Sequence, residues 1–148
     1  MTSLNLLKTA ELIFFDFDGV IKESLTIKSN AFEELFLPFG EDIAARVKIH
    51  HNENSGVSRL KKIPLYLSWV EPNPTDCLIN KFCAQFSQIV MRAVIDSPWV
   101  PGAQKFLLDY YKVKYFVLVT ATPQHEIESI LSLLNIDKCF RHIFCNEI

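Results

Sequence analysis

The stretch LIFFDFDGVIKES, Leu12 to Ser24, sets a run of large apolar residues directly before two carboxylates, Asp16 and Asp18. Leu12 to Phe17 is short, apolar and aromatic, and Gly19 follows closely, which predicts a buried strand ending in a tight turn. Carboxylates taken out of water are costly unless they are paired, hydrogen-bonded or bound to a metal. If the chain stays extended, a period of two places Asp16 and Asp18 on one side. Two such charges repel, and a divalent cation is the usual remedy. Taken alone, this pattern also suits a calcium-loop fragment or a plain acidic turn.

Working outward, Lys28 to Leu37 has helical spacing, with Ala31, Phe32, Leu35 and Phe36 on one side, and Pro38-Phe39-Gly40 breaks it. Glu41 to His51 reads as a second helix with Ile43, Val47 and His50 inward. Ser58 to Trp69 reads as a third, kinked or split at Pro64. Thr75 suits the N-cap of a long helix reaching about Ile95, with a stripe of Leu78, Phe82, Phe86, Ile89 and Val90. Pro101 suits the first position of a helix through Tyr111. Tyr115 to Val119 is β-rich and apolar and should be a second buried strand. Thr122-Pro123 fits an N-cap and first helical residue, with a helix to Leu134, and His142 to Cys145 should be a third strand. Strands separated by helices argue for an α/β fold with a parallel sheet. The block from about Ser24 to Ser97 is too long for one crossover, so a helical lobe of residues 24–97 is expected inside a core of 1–23 and 98–148.

The 148 residues suit one such assembly, and 49% apolar content with 12 Phe supports a packed core. The net charge of −2 comes from mixed charges without a basic run, so neither nucleic acid nor a membrane surface is an expected partner. Met1 to Lys8 lacks the charged and apolar regions of a secretory signal. The scattered cysteines, Cys77, Cys83, Cys139 and Cys145, read as reduced thiols of a cytoplasmic protein. Cys139, His142 and Cys145 lack the tight paired spacing usual in zinc sites.

Ligands of parallel α/β sheets bind beyond the carboxyl ends of the strands. Asp16 and Asp18 lie at one such end and Thr120 at another. The N–H groups of TATP, Thr120 to Pro123, sit at a helix start and make an anion cradle. A phosphate between a cation and N–H and O–H donors is the ligand this pattern suggests.

FFDFDGVI (14–21) and VLVTATP (117–123), with their separation, resemble the first two motifs of the haloacid dehalogenase superfamily of phosphohydrolases. The helical block resembles that family's helical cap. Within it, HHNENSGVSRLKKI (50–63) is similar to cap segments of the phosphoglycolate phosphatase and β-phosphoglucomutase-like branch, and VPGAQKFL (100–107) resembles the return to the core. The resemblance implies a Rossmann-like parallel sheet, partial at about three strands, with an inserted α-helical cap. It implies Asp16 as a nucleophile forming an aspartyl phosphate, and Asp18 as the acid that protonates the leaving group and then activates water. It implies Mg²⁺ held by the Asp16 carboxylate and the Asp18 backbone carbonyl, with Thr120 and the Ala121 N–H on the phosphoryl group. Arg59, and less so Lys62, are candidate substrate contacts in the cap. His50 and His51 read as structural or exposed, and Trp69 and Trp99 as packing residues.

The implied activity is Mg²⁺-dependent hydrolysis of a small phosphorylated metabolite, with a phosphomutase or a catalytically degenerate relative as alternatives. An acid two residues after the nucleophile suits phosphatases and mutases rather than dehalogenases. The family also uses a later Lys and acids at a fourth strand. Lys138 comes too early for that role, and Glu147 lies in or just past the third strand. The expectation is therefore a piece of a longer protein, or an apolar sheet edge covered by a partner or by self-association. Weak or absent turnover by these 148 residues alone follows from it.

Overall fold

The computed structural model describes residues 3–145. The chain divides into two compact units: Leu25–Ala93, and the segments that flank it.

In the flanking segments, strands β1 (Leu12–Phe15), β2 (Tyr115–Val119) and β3 (His142–Phe144) form a parallel sheet in the order β1-β2-β3 among the described residues. Leu12 pairs with Tyr115 and Phe15 with Leu118; Val117 pairs with His142 and Val119 with Phe144. Helix α6 (Ala103–Tyr110) sets Phe106 against one face, with its ring 6.3 Å from Phe15 and 5.7 Å from Phe116. Phe140 closes on Phe15 at 6.0 Å, and Ile127, Ile130 and Leu131 of α7 (Gln124–Leu133) are buried.

The other face differs from the expectation of fully buried strands. The register brings Leu12, Phe14, Tyr115, Val119 and Phe144 to one side, and each is exposed, Phe14 at 61%. On that side of β2 Val117, paired with Phe14, is buried between the exposed Tyr115 and Val119, whereas β1 alternates along its length where a continuous buried run was expected.

A short helix α1 (Ser3–Thr9), which the sequence reading did not anticipate, precedes β1. The Lys114 ammonium donates to Lys8 O at 2.8 Å and Ala10 O at 2.6 Å, so a residue more than a hundred positions away closes the carbonyl end of this helix. α6 begins at Ala103, two residues later than expected, because Gly102 takes φ +83° at its N-cap, a conformation a side chain would strain.

The second unit contains α2 (Leu25–Phe36), a 3₁₀ turn at Leu37–Phe39, α3 (Glu41–Glu53), α4 (Arg59–Ser68) and most of α5 (Asp76–Asp96). Ser58 caps α4 by accepting from the Leu60 N–H at 3.2 Å, and Thr75 caps α5 by accepting from the Leu78 N–H at 3.2 Å. Pro64 sits inside α4 without splitting it. Ala31, Phe32, Leu35 and Phe36 of α2 meet Phe82, Phe86 and Val90 of α5 and Tyr66 of α4 in one core. Its rings are in contact: Phe32 to Phe86 at 4.1 Å, Phe32 to Tyr66 at 5.4 Å, Phe36 to Phe82 at 5.4 Å. α3 turns Ala44, Val47 and His51 inward, whereas Ile43 and His50 are half-buried. The inward histidine is thus the neighbour of the expected one. No helix among the described residues is long and apolar enough to cross a membrane.

Candidate active site

β1 stops at Phe15, and Asp16 is the next residue. Its Oδ1 accepts from the Phe17 N–H at 2.6 Å, and the side chain is exposed. The sequence reading treated Asp16 and Asp18 as a buried pair. Asp16 lies past the last laddered residue, in contact with solvent, so it carries little of the expected desolvation cost.

The turn that follows is held by its own backbone. Phe17 O accepts from the N–H groups of Val20 and Ile21, and the Gly19 N–H donates to Lys22 O at 2.8 Å. Gly19 holds φ +74°, which favours glycine. Phe17 and Ile21 are buried and anchor the turn on both sides of Asp18. Asp18 is half-buried, and its Oδ1 accepts from the Ser24 hydroxyl at 2.6 Å. Ser24 is fully buried, so the donor has little freedom to leave. Sequence reasoning missed Ser24; a serine six residues after an acid carries no signal until the turn brings the two together. Ser24→Ala should remove a hydrogen bond to a charged group and cost roughly 1.5–3 kcal/mol, as read by denaturant unfolding.

β2 lies beside β1 and runs in the same direction, at the ~4.8 Å spacing of neighbouring strands. Thr120 follows its last residue, so Asp16 and Thr120 stand at the same end of adjacent strands. The Thr120 N–H donates to Phe144 O at 2.9 Å, and its hydroxyl accepts from the Thr122 N–H at 3.2 Å. Thr120 and Thr122 are buried and Ala121 is exposed. Pro123 is the N-cap of α7, with ψ 149°, and not its first helical residue. The expected start shifts by one because Pro123 holds an extended ψ, which leaves it outside the helix. Glu126, in the first turn of α7, is fully buried and has partners of its own.

Asp16 and Asp18 provide hard oxygen donors, and no group of three or more metal-binding side chains gathers among the described residues. Such a set fits Mg²⁺, which keeps several waters and takes one or two carboxylates and a phosphate. Lys138, on a 3₁₀ turn before β3, stacks its ammonium over Tyr111 at 5.8 Å; Glu147 lies outside the described residues.

A second missed residue is Lys22. It is 2% exposed, donates to Ile95 O at 3.1 Å and lies 4.6 Å from the centre of the Trp99 ring. Burial lowers its pKa, opposed by the nearby Asp96 carboxylate. The Glu23 N–H donates to Pro98 O at 2.9 Å, and the Val100 N–H to Ile21 O at 3.0 Å. The segments around Lys22 and Trp99 are thereby stitched together.

In the helical unit, Arg59 opens α4 half-buried, with its guanidinium donating to Ser87 Oγ at 2.7 Å and lying 4.8 Å from the Phe86 ring centre. Lys62 is buried, and its Nζ meets His51 Nδ1 at 3.1 Å. Burial first, then the field of Lys28, lowers the Lys62 pKa to about 8; burial, then Lys62, Lys28 and His50, lowers that of His51 to about 4. The unfolded chain therefore binds more protons than the folded one between about pH 8 and 10.5 at Lys62, and between about 4 and 6.5 at His51. Stability rises with pH in both windows. Tyr66, pushed up to about 12 by burial, opposes the Lys62 trend only above pH 10. A tenfold change in proton affinity is worth about 1.4 kcal/mol. Denaturant unfolding should show the wild type gaining stability from pH 8 toward 10, and Lys62→Met should make that rise smaller.

No protein-family model and no curated protein sequence matches this chain. Solved structures do. A HAD-type hydrolase from Bacillus subtilis, YfnB, solved with magnesium, aligns at TM-score 0.64 and 15% identity over 92% of this chain and 65% of its own. A β-phosphoglucomutase-type protein from Thermotoga maritima aligns at 0.62 and 21%, over 91% of this chain and 61% of its own. CbbY from Rhodobacter sphaeroides, in complex with phosphate, aligns at 0.66 and 16%, over 93% and 64%. The chain thus spans less than two thirds of the length of these proteins. The parallel sheet, with acid and threonine turns at one end and a helical unit inserted after the first strand, is the haloacid dehalogenase-like fold.

Proposed function

We propose that this chain carries the nucleophile and phosphate-binding half of a phosphoryl-transfer site acting on a small phosphorylated metabolite. The observation that carries the reading is the placement of an exposed Asp16 and of Thr120 at the same end of two adjacent parallel strands. An Asp16 oxygen attacks phosphorus; the new O–P bond forms as the ester P–O bond breaks, and Asp18 gives its proton to the leaving oxygen. Asp18 then takes a proton from the water that attacks the aspartyl phosphate, and the Asp16–phosphorus bond breaks to release phosphate. Thr120 and the Ala121 N–H orient the phosphoryl oxygens. Mg²⁺, held by the Asp16 carboxylate and the Asp18 carbonyl, would neutralise phosphoryl charge when bound. The helical unit acts as the cap, with Arg59 contacting substrate.

The test is capture of phosphate on Asp16. Incubation with a small acyl phosphate and Mg²⁺, followed by acid quench and peptide mass spectrometry, should place an acid-stable, base-labile phosphoryl group on that residue. A clean Asp16 with a label elsewhere would sink the reading.

The partner is a second copy where the chain stands alone. β1 has an outer edge that is unpaired among the described residues, beside the exposed Leu12 and Phe14. Apolar edges of this kind template strand pairing. Light scattering of the 148-residue chain should show mass rising with concentration, and Phe14→Lys should suppress the rise.

A further inference from the structure

The amino ends of the three parallel strands gather cations from three separate connections. Lys8 precedes β1, Lys112 and Lys114 precede β2, and Lys138 and Arg141 precede β3. Parallel pairing brings these connections to one end of the sheet, whereas Asp16 and Thr120 follow β1 and β2 at the other. Hydrogen bonds stitch the connections together. The Lys114 ammonium reaches Lys8 O and Ala10 O, the Tyr115 N–H donates to Glu11 O at 2.7 Å, and the Arg141 N–H donates to Phe116 O at 2.8 Å. The acids at this end are Glu11, Asp137 and Asp109, and Asp109 is taken by Lys105 of α6. The chain as a whole has a net charge of −2, so this end is basic against an acidic remainder. The sequence shows no basic run because the sheet, and not the chain order, collects these residues.

Apolar groups stand among the charges. Val113 is 75% exposed, at the tip of a turn in which Tyr110 O accepts from the Val113 and Lys114 N–H groups. Leu6 and Leu7 of α1 are exposed beside Lys8. Lys112 and Lys138 each hold an ammonium 5.8 Å from the centre of the Tyr111 ring, and Lys114 lies 5.7 Å from that of Tyr110. Exposed aliphatic groups interleaved with lysines and tyrosines suit the boundary of a lipid bilayer. Methyl groups and rings enter the headgroup layer there, while ammonium groups stay at its anionic surface. A nucleic acid strand suits the patch less well. Its bases need free aromatic faces, and Tyr110 and Tyr111 already carry ammonium groups. An acidic peptide would match the charges and leave Val113, Leu6 and Leu7 in water.

We propose that the amino end of this sheet is a docking surface for an anionic lipid bilayer, with Lys8, Lys112, Lys138 and Arg141 on the headgroups and Val113 in the interface. Lys114 has a structural part, since its ammonium closes α1. Docking in this way leaves the Asp16 and Thr120 end of the sheet facing water. The inference does not depend on phosphoryl transfer, and its test reads no turnover.

Flotation of the full 148-residue chain with lipid vesicles is the test. Vesicles of phosphatidylcholine alone are compared with vesicles containing about one third phosphatidylserine, at low salt and at about 0.5 M salt. The chain should float with the anionic vesicles at low salt, and high salt or omission of phosphatidylserine should release most of it. One ammonium at an anionic surface is worth about fivefold in partition, so Lys112→Gln and Lys138→Gln should each lose about that much, and Lys112→Glu combined with Lys138→Glu more than about twentyfold. Val113→Ser should lose severalfold with no change of charge. Lys61→Glu combined with Lys81→Glu makes the same change of net charge on the helical unit and should stay within about twofold of the wild type. All of these positions are exposed, circular dichroism checks each fold, and the single Gln variants decide the matter if the double reversal does not fold. Equal flotation with phosphatidylcholine alone, equal losses in the two double variants, or full binding by the Gln variants overturns the proposal. Competition by soluble glycerophosphoserine at the vesicles' headgroup concentration overturns it too, since that would mean a site for one headgroup. An oligothymidylate that binds the wild type and not the double reversal, in a protein that ignores the vesicles, overturns it in favour of nucleic acid.

Discussion

Asp16→Asn is expected to abolish phosphoryl transfer, with kcat reduced about a thousand-fold or more in any form of the protein that turns over a phosphate ester. On the proposed route the amide would remove the anionic oxygen that attacks phosphorus while keeping the size of the side chain. Asp16 lies past the β1 ladder and is exposed, so the substitution leaves the sheet and its core untouched. Thermal stability should change by less than about 0.5 kcal/mol, as for exposed sites in general. Loss of activity with retained stability therefore reports chemistry and not folding. The measurement is kcat with p-nitrophenyl phosphate and Mg²⁺, alongside the trapped aspartyl phosphate. An Asn variant with full turnover would remove the covalent route and leave Asp16 a surface acid.

Phe32→Ala is expected to destabilise the helical unit by about 3–5 kcal/mol, the usual cost of deleting a buried aromatic ring. Phe32 is 1% exposed and stands at the crossing of three other helices, with its ring against Phe86 of α5, Tyr66 of α4 and His51 of α3. The cavity cannot close easily, because those partners are rings with few alternative rotamers. The loss also uncovers the His51–Lys62 pair, whose perturbed acidities depend first on burial. Urea unfolding should show the lowered midpoint, and pH titration of the variant should show His51 moving back toward its ordinary range. Leu65→Ala, at a helix position 40% exposed, is the control and should cost well under 1 kcal/mol. Similar costs at the two positions would mean that the ring cluster is not the core of this unit.

The elements that were legible in the chain are those whose cause is local. Tyr115–Val119 is a strand because β-branched and aromatic residues crowd together between turn signals, and it forms over those five residues. Thr75 caps α5 because its hydroxyl reaches a backbone N–H three residues ahead. Asp16 and Thr120 follow apolar runs in sequence and so come to lie at the ends of strands.

Other features have causes that act between distant residues, and pattern reading could not reach them. Helix α1 ends where Lys114 arrives, and Ser24 matters because the Gly19 turn folds it back onto Asp18. Periodicity put His50 inward, yet His51 is the buried one, since Lys62 comes from another helix to meet its ring nitrogen. The exposure of Leu12 and Phe14 was hidden as well, because an apolar strand reads the same whether one face or both faces are covered. Propensity, capping and hydrophobic period are properties of a few neighbouring residues. Which side chains meet, which face is left open to water and what a buried charge has for company depend on the packing of whole elements.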